Sequence, residues 1–152
     1  MKPLLKALRY ISCCLVALLV SQYSFAIDPV YTGGTANAAI KGYDPVAYFT
    51  QNKAVKGSKQ HSAKYQGATW HFSSVENRRL FTANPEKYAP QYGGYCAYAV
   101  SRNTTASIRP NLFTIVNDKL YLNYSKVVQR RWQKDKPKYI KQADKHWPGL
   151  VK

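Results

Sequence analysis

The segment His61-Ser62-Ala63-Lys64-Tyr65-Gln66-Gly67-Ala68-Thr69-Trp70-His71-Phe72 decides the fold. Apolar and polar residues alternate on both sides of Gln66-Gly67, and the glycine supplies the positive φ that a two-residue hairpin turn requires. The predicted register pairs Tyr65 with Ala68, Ala63 with Trp70 and His61 with Phe72. Ala63, Tyr65, Ala68, Trp70 and Phe72 then share an apolar face with His61, while Lys64, Thr69 and His71 occupy the other face. In this register His61 and His71 point in opposite directions and do not chelate one ion together.

Toward the C-terminus, residues 73–83 read as a helix. Ser73 and Glu76 have the spacing of a capping box, Leu80 and Phe81 supply the core anchors, and Asn84-Pro85 stops the run. Residues 85–88 start a further short turn that ends toward Gly93-Gly94. A second hairpin is marked by residues 111–116, the turn Asn117-Asp118 and residues 119–124. There the alternation of Leu112, Thr114 and Val116 with Phe113 and Ile115 predicts one better-buried face. From Ser125 the chain is helical and basic, with Val128, Trp132, Tyr139, Ala143 and Trp147 on one stripe. Pro137 must kink or split that helix, because it lacks an amide donor and clashes with the preceding turn.

Toward the N-terminus, Asp44-Pro45 is a helix start, an acceptor followed by proline in the first turn. Residues 51–59 form a polar, lysine-rich loop. Residues 27–39 lack apolar periodicity and are expected to be a flexible leader, with the ordered domain spanning residues 40–150. The expected fold is a small single α+β domain with two β-hairpins and several helices.

The first residues have the form of an export signal. Lys2, Lys6 and Arg9 precede the apolar run of residues 11–20, and Ser24-Phe25-Ala26 puts small residues at −3 and −1 of a cleavage site. The run is shorter than the about 20 residues of a transmembrane helix. The expected product is therefore periplasmic or secreted, cleaved near Ala26, with no transmembrane segment in the mature chain. The full sequence carries 23 Lys and Arg against 7 Asp and Glu, a formal net charge of +16, and it stays strongly basic without the signal. Such a field attracts anionic partners, and for an exported chain these are envelope components or an acidic protein in preference to nucleic acid.

Several motifs in order resemble the YHS domain family. They are Gly42-Tyr43-Asp44-Pro45-Val46-Ala47-Tyr48-Phe49, then residues 65–74 around Gln66-Gly67 and Trp70-His71-Phe72, then Asn84-Pro85-Glu86-Lys87-Tyr88. Tyr92-Gly93-Gly94-Tyr95-Cys96-Ala97 and the ending at Trp147-Pro148 are similar to an exported single-domain subgroup of that family. The resemblance implies metal handling, copper above all. Family members with a presumed metal site carry cysteines where this chain has Ala47, Ser73 and Asn77, so that ligand set does not transfer.

One thiol remains beyond the signal. Cys13 and Cys14 lie within it, which leaves Cys96 without an intramolecular partner in an oxidising compartment. Cys96 is the candidate soft-metal ligand for Cu(I), with His61 as its helper, because thiolates favour Cu(I) and Zn(II). One cysteine and three histidines fall short of an ordinary four-ligand zinc site. The bland reading makes Cys96 a small buried hydrophobe among Tyr92, Tyr95 and Tyr98, and two functional alternatives stand beside metal capture. Cys96 is a redox thiol served by an external reductant, or the chain is a basic envelope interaction module with Lys134, Lys138, Lys141 and Lys145 as contacts. No Ser-His-Asp arrangement, phosphate loop or carboxylate pair marks a hydrolase, so catalysis is not expected.

Overall fold

The computed structural model describes residues 27–34 and 36–151, so the export signal expected over residues 1–26 lies outside the described part. Among the described residues, two antiparallel hairpins and six α-helices make a small α+β domain, as the sequence patterning predicted. The first hairpin joins β1 (Ser58–Tyr65) to β2 (Ala68–Phe72) and the second joins β3 (Arg109–Val116) to β4 (Lys119–Asn123). Both turns hold two consecutive residues at positive φ, Gln66 with Gly67 and Asn117 with Asp118. That geometry matches the twist of the flanking strands.

The register near the first turn is the predicted one, with Tyr65 opposite Ala68 and Ala63 opposite Trp70. Farther out it departs from expectation. Ser62 pairs with His71, but Phe72 pairs with Ser58 and not with His61. Residues 59–61 bulge out of the ladder. The Ser58 hydroxyl accepts from the amide of Gln60, a local bond that competes with the cross-strand ladder.

Helix α1 (Ala47–Thr50) is one turn, and α2 (Val75–Ala83) follows the first hairpin. The cap of α2 is Ser74, whose hydroxyl accepts from the Asn77 amide. Ser73, expected in that role, is held elsewhere by Asp44. A single turn α3 (Pro85–Tyr88) is capped by Asn84, and α4 (Ala97–Ser101) leads toward β3. The basic C-terminal run splits into α5 (Lys126–Lys134) and α6 (Lys136–Leu150). Asp135 breaks the helix and caps its second half by accepting from the Lys138 amide, which puts Pro137 in the first turn where its missing donor costs nothing.

Two apolar clusters fill the interior. The first gathers Val46, Tyr48, Trp70, Phe72, Phe81, Cys96, Ile108, Leu120 and Leu122. The second gathers Tyr92, Ala97, Val100, Tyr121, Trp132 and Ala143, with Tyr139 and Trp147 packed against it. The predicted stripe of the C-terminal helices thus faces the second cluster, apart from Val128, which meets the first. Strand β4 runs between the clusters, so Leu120, Tyr121, Leu122 and Asn123 are all buried regardless of face. For the same reason β3 does not show the single buried face expected of it: Phe113 and Ile115 pack on one cluster and Val116 on the other.

The segment expected as a flexible leader is docked. Ile27 pairs with Val151, the Tyr31 amide donates to the Gly93 carbonyl at 2.9 Å, and the Ile40 amide donates to the Tyr31 carbonyl at 2.8 Å. Val30 and Ala38 are buried. Two tight turns make room for this path, with Ile40 and Lys41 at positive φ in one and Tyr92 and Gly93 in the other. No helix among the described residues is long and apolar enough to cross a membrane.

Candidate functional site

Cys96 stands at the seam between α4 and β4. Its amide donates to the Ala106 carbonyl at 3.1 Å, and its backbone bridges in parallel to Leu122. The bridge draws the thiol into the first apolar cluster, where it is 1% exposed. Gly94, at φ 86°, lies against Ile40 so closely that a Cβ there would collide with its side chain. The glycines before Cys96 therefore do serve a special backbone path, and that path buries the sulfur.

One polar group reaches the sulfur. The Asn123 Nδ2 donor lies 3.9 Å from Sγ, in a side chain that is itself fully buried. The Oδ1 atom of the same carboxamide has no hydrogen-bond partner. A buried acceptor left in that state costs about 1–3 kcal/mol and calls for an explanation such as an ion, a water or a functional role. Sequence reasoning missed Asn123. The signal was a lone asparagine ending the apolar run Leu120-Tyr121-Leu122 in a strand that is otherwise core.

The second polar centre is Asp44, completely buried at the entry to α1. Its Oδ1 accepts from the amides of Val46 and Ala47 at 2.9 and 3.3 Å. Its Oδ2 accepts from the Ser73 amide at 2.7 Å, the Ser73 hydroxyl at 2.6 Å and Asn77 Nδ2 at 2.7 Å. Asp44 is therefore more than the local cap its sequence suggested. Ala47, Ser73 and Asn77, the positions that the family resemblance singled out above, all surround this one carboxylate. The arrangement does not fit a soft cation: Ala47 offers no donor atom, and the oxygen nearest Ser73 and Asn77 already accepts three hydrogen bonds.

The three histidines are dispersed. His61 sits half-buried in the bulge of β1. His71 lies on β2, where partial burial and the nearby Lys59 and Lys56 ammonium groups lower its pKa below the usual imidazole value. His146 Nδ1 lies 3.3 Å from the Val100 carbonyl. No hydrogen bond links His61 to Cys96, and no group of three or more His, Cys, Asp or Glu side chains gathers as a metal site among the described residues. The arrangement presents one soft donor, Cys96, beside an underused carboxamide.

The YHS domain family model matches residues 46–92, a span that starts at the entry to α1, takes in the first hairpin and α2, and stops just short of Cys96. No curated protein matches the chain significantly, and neither does any solved structure. The part of the chain that matches the YHS domain family is thus residues 46–92, which hold α1, the first hairpin, α2 and α3.

Proposed function

We propose that this chain is an exported, non-catalytic YHS-type protein that handles a soft metal, and that Cys96 supplies the thiolate that takes Cu(I). YHS domains are associated with metal handling, copper included. The observation that supports a role for Cys96 is the half-satisfied Asn123 carboxamide beside it, since an inert core cysteine needs no unsatisfied neighbour. A soft thiolate suits Cu(I), which is content with few ligands. His61 is the second donor in this reading. Lys59 and Lys56 set a repulsive field at His71, and His146 already faces a carbonyl.

Because the sulfur is 1% exposed, capture proceeds through local opening of the seam between α4 and β4. Export rests on the signal pattern of residues 1–26, with release into the periplasm or outside the cell. The test is an anaerobic competition between the reduced protein and a chromophoric Cu(I) chelator. The wild-type chain withdraws one equivalent of Cu(I); Cys96→Ala loses that capacity and His61→Ala weakens it. Equal Cu(I) affinity in the wild type and a folded Cys96→Ala variant would sink the reading.

A further inference from the structure

We propose that the cleft walled by Tyr65 and Trp147, with the buried rings of Trp70 and Tyr92 behind them, is a binding site for a small organic cation, an amine or quaternary ammonium on an apolar or aromatic body. The cleft has a volume of about 480 Å³, within the range of small-molecule sites. In its lining Tyr92 meets Trp147 edge to face, with ring centroids 5.9 Å apart at 62°, and Tyr65 and Trp70 contribute a second aromatic pair. Aromatic faces attract cations, most strongly those of tryptophan.

The charge of the lining runs against the charge of the chain. Lys and Arg number 23 against 7 acidic residues in the full sequence, yet this cleft is lined by Glu86 and Asp144 and by no lysine or arginine. Neither carboxylate forms a salt bridge among the described residues, where Glu76 with Arg79 is the one pair. Asp144 is fixed in place: its Oδ1 accepts from the Tyr92 hydroxyl at 2.8 Å, leaving the other oxygen for a ligand. The cleft wall is closely packed where Gly93 and Pro29 cross, since a Cβ on Gly93 would collide with the Pro29 carbonyl. An anion or a phosphate would meet repulsion here, and a neutral sugar would leave both carboxylates without charge compensation.

Calorimetric titration of the purified chain with three probes of one shape tests the site: phenethylammonium, 2-phenylethanol and phenylacetate. The cation is expected to bind about tenfold tighter than the alcohol, and the anion most weakly. The combined Glu86→Gln and Asp144→Asn variant is expected to lose that advantage while its affinity for the alcohol stays the same. Both side chains are exposed, so the variant is expected to keep the thermal midpoint of the parent. Binding of cation and alcohol with equal affinity, an unchanged cation affinity in the variant, or no binding of the cation at 10 mM (roughly the edge of measurable affinity) would each overturn the proposal. Cys96 and His61 do not line the cleft, so the outcome is independent of the metal reading.

Discussion

Asp44 and Asn77 are joined by a 2.7 Å hydrogen bond buried in the interior, across 33 residues of sequence. The bond ties the entry to α1 to the first turn of α2, on the two sides of the first hairpin. Ser73 adds its amide and hydroxyl to the same Asp44 oxygen. These neutral donors converge on one carboxylate and form a single buried junction. The junction is a structural knot that fastens the two sides of the first hairpin.

Breaking that knot has an expected cost. Asp44→Ala removes the acceptor of five hydrogen bonds, from the Val46, Ala47 and Ser73 amides, the Ser73 hydroxyl and Asn77 Nδ2, and is expected to destabilise the chain by about 3 kcal/mol or more. Asn77→Ala removes one donor and is expected to cost about 1–2 kcal/mol. Denaturant unfolding measures both. Because the two side chains share one bond, the double variant is expected to cost less than the sum of the singles. Simple additivity would show that the bond contributes little.

Asn123 is expected to behave in the opposite way. Its Oδ1 is unpartnered and its Nδ2 faces only a sulfur, so Asn123→Leu discards a polar group that the core does not satisfy. Replacement by an apolar residue of similar size is expected to change stability by less than about 1 kcal/mol, or to raise it. Asn77→Leu, at a buried asparagine whose Nδ2 donates to both Asp44 and Ser73, is expected to lose at least about 2 kcal/mol. Equal losses at the two positions would mean that Asn123 is satisfied in solution, and that it is not held for function at a cost in stability.

These contrasts mark the boundary of what the sequence made legible. Local signals carried far: Gln66-Gly67 and Asn117-Asp118 marked both turns, and Pro137 marked the split between α5 and α6. The errors come from partners distant in sequence. Ser73 and Ser74 are equally good caps by type, and only Asp44, 29 residues earlier, decides between them. The predicted pairing of His61 with Phe72 assumed an unbroken ladder, and the Ser58 hydroxyl broke it. The leader has no periodicity because it turns at residues 33–34 and 36–37 and is held by separate anchors, Val30 near its start and Ala38 and Ala39 at its end, in place of a repeating face. For the candidate site, Cys96 was visible as an odd cysteine, while its burial and its carboxamide neighbour arise from the bridge to β4.

Burial of Cys96 has a direct chemical readout. With 1% of the residue exposed, a disulfide reagent reaches the thiol through local opening only. Labelling of the folded chain by a chromogenic disulfide is expected to be at least ~100-fold slower than that of the unfolded chain. Prior addition of one equivalent of Cu(I) is expected to slow it further. Rapid native labelling would favour the redox alternative, in which the thiol meets its partner without an opening step.

Gly93 holds the N-terminal segment in place. Its φ of 58° disfavours any side chain, and a Cβ would collide with the Pro29 carbonyl. Gly93→Ala is therefore expected to undock residues 27–31 and release the Tyr31 amide from the Gly93 carbonyl. Amide exchange reports this as loss of protection at Tyr31, with the first hairpin retaining its own. Uniform loss across the chain would mean that the segment is integral to global folding, and unchanged protection at Tyr31 would contradict the docked path.

Stability is expected to fall at both ends of the pH scale, for opposite reasons. The His71 pKa is depressed from the reference value of 6.5, by partial burial and then by Lys59 and Lys56. Below that reference the unfolded chain takes up its proton first, so stability declines as pH falls through 6.5 toward the folded value. His71→Gln is expected to flatten the curve in that window. At alkaline pH the tyrosines act. Burial, then Asp144, pushes Tyr121 up to about 12 from a reference of 10.0, and burial raises Tyr48 and Tyr92 further still. Above pH 10 the unfolded chain ionises these phenols first, so their stabilising contribution is lost as pH rises through the folded values. Absorbance at 295 nm is expected to show a class of tyrosines that ionises only at about pH 12 or with unfolding, and Tyr92→Phe is expected to shrink that class by one. Complete ionisation of every tyrosine near pH 10 in a folded chain would place Tyr48, Tyr92 and Tyr121 in solvent and contradict the interior packing described above.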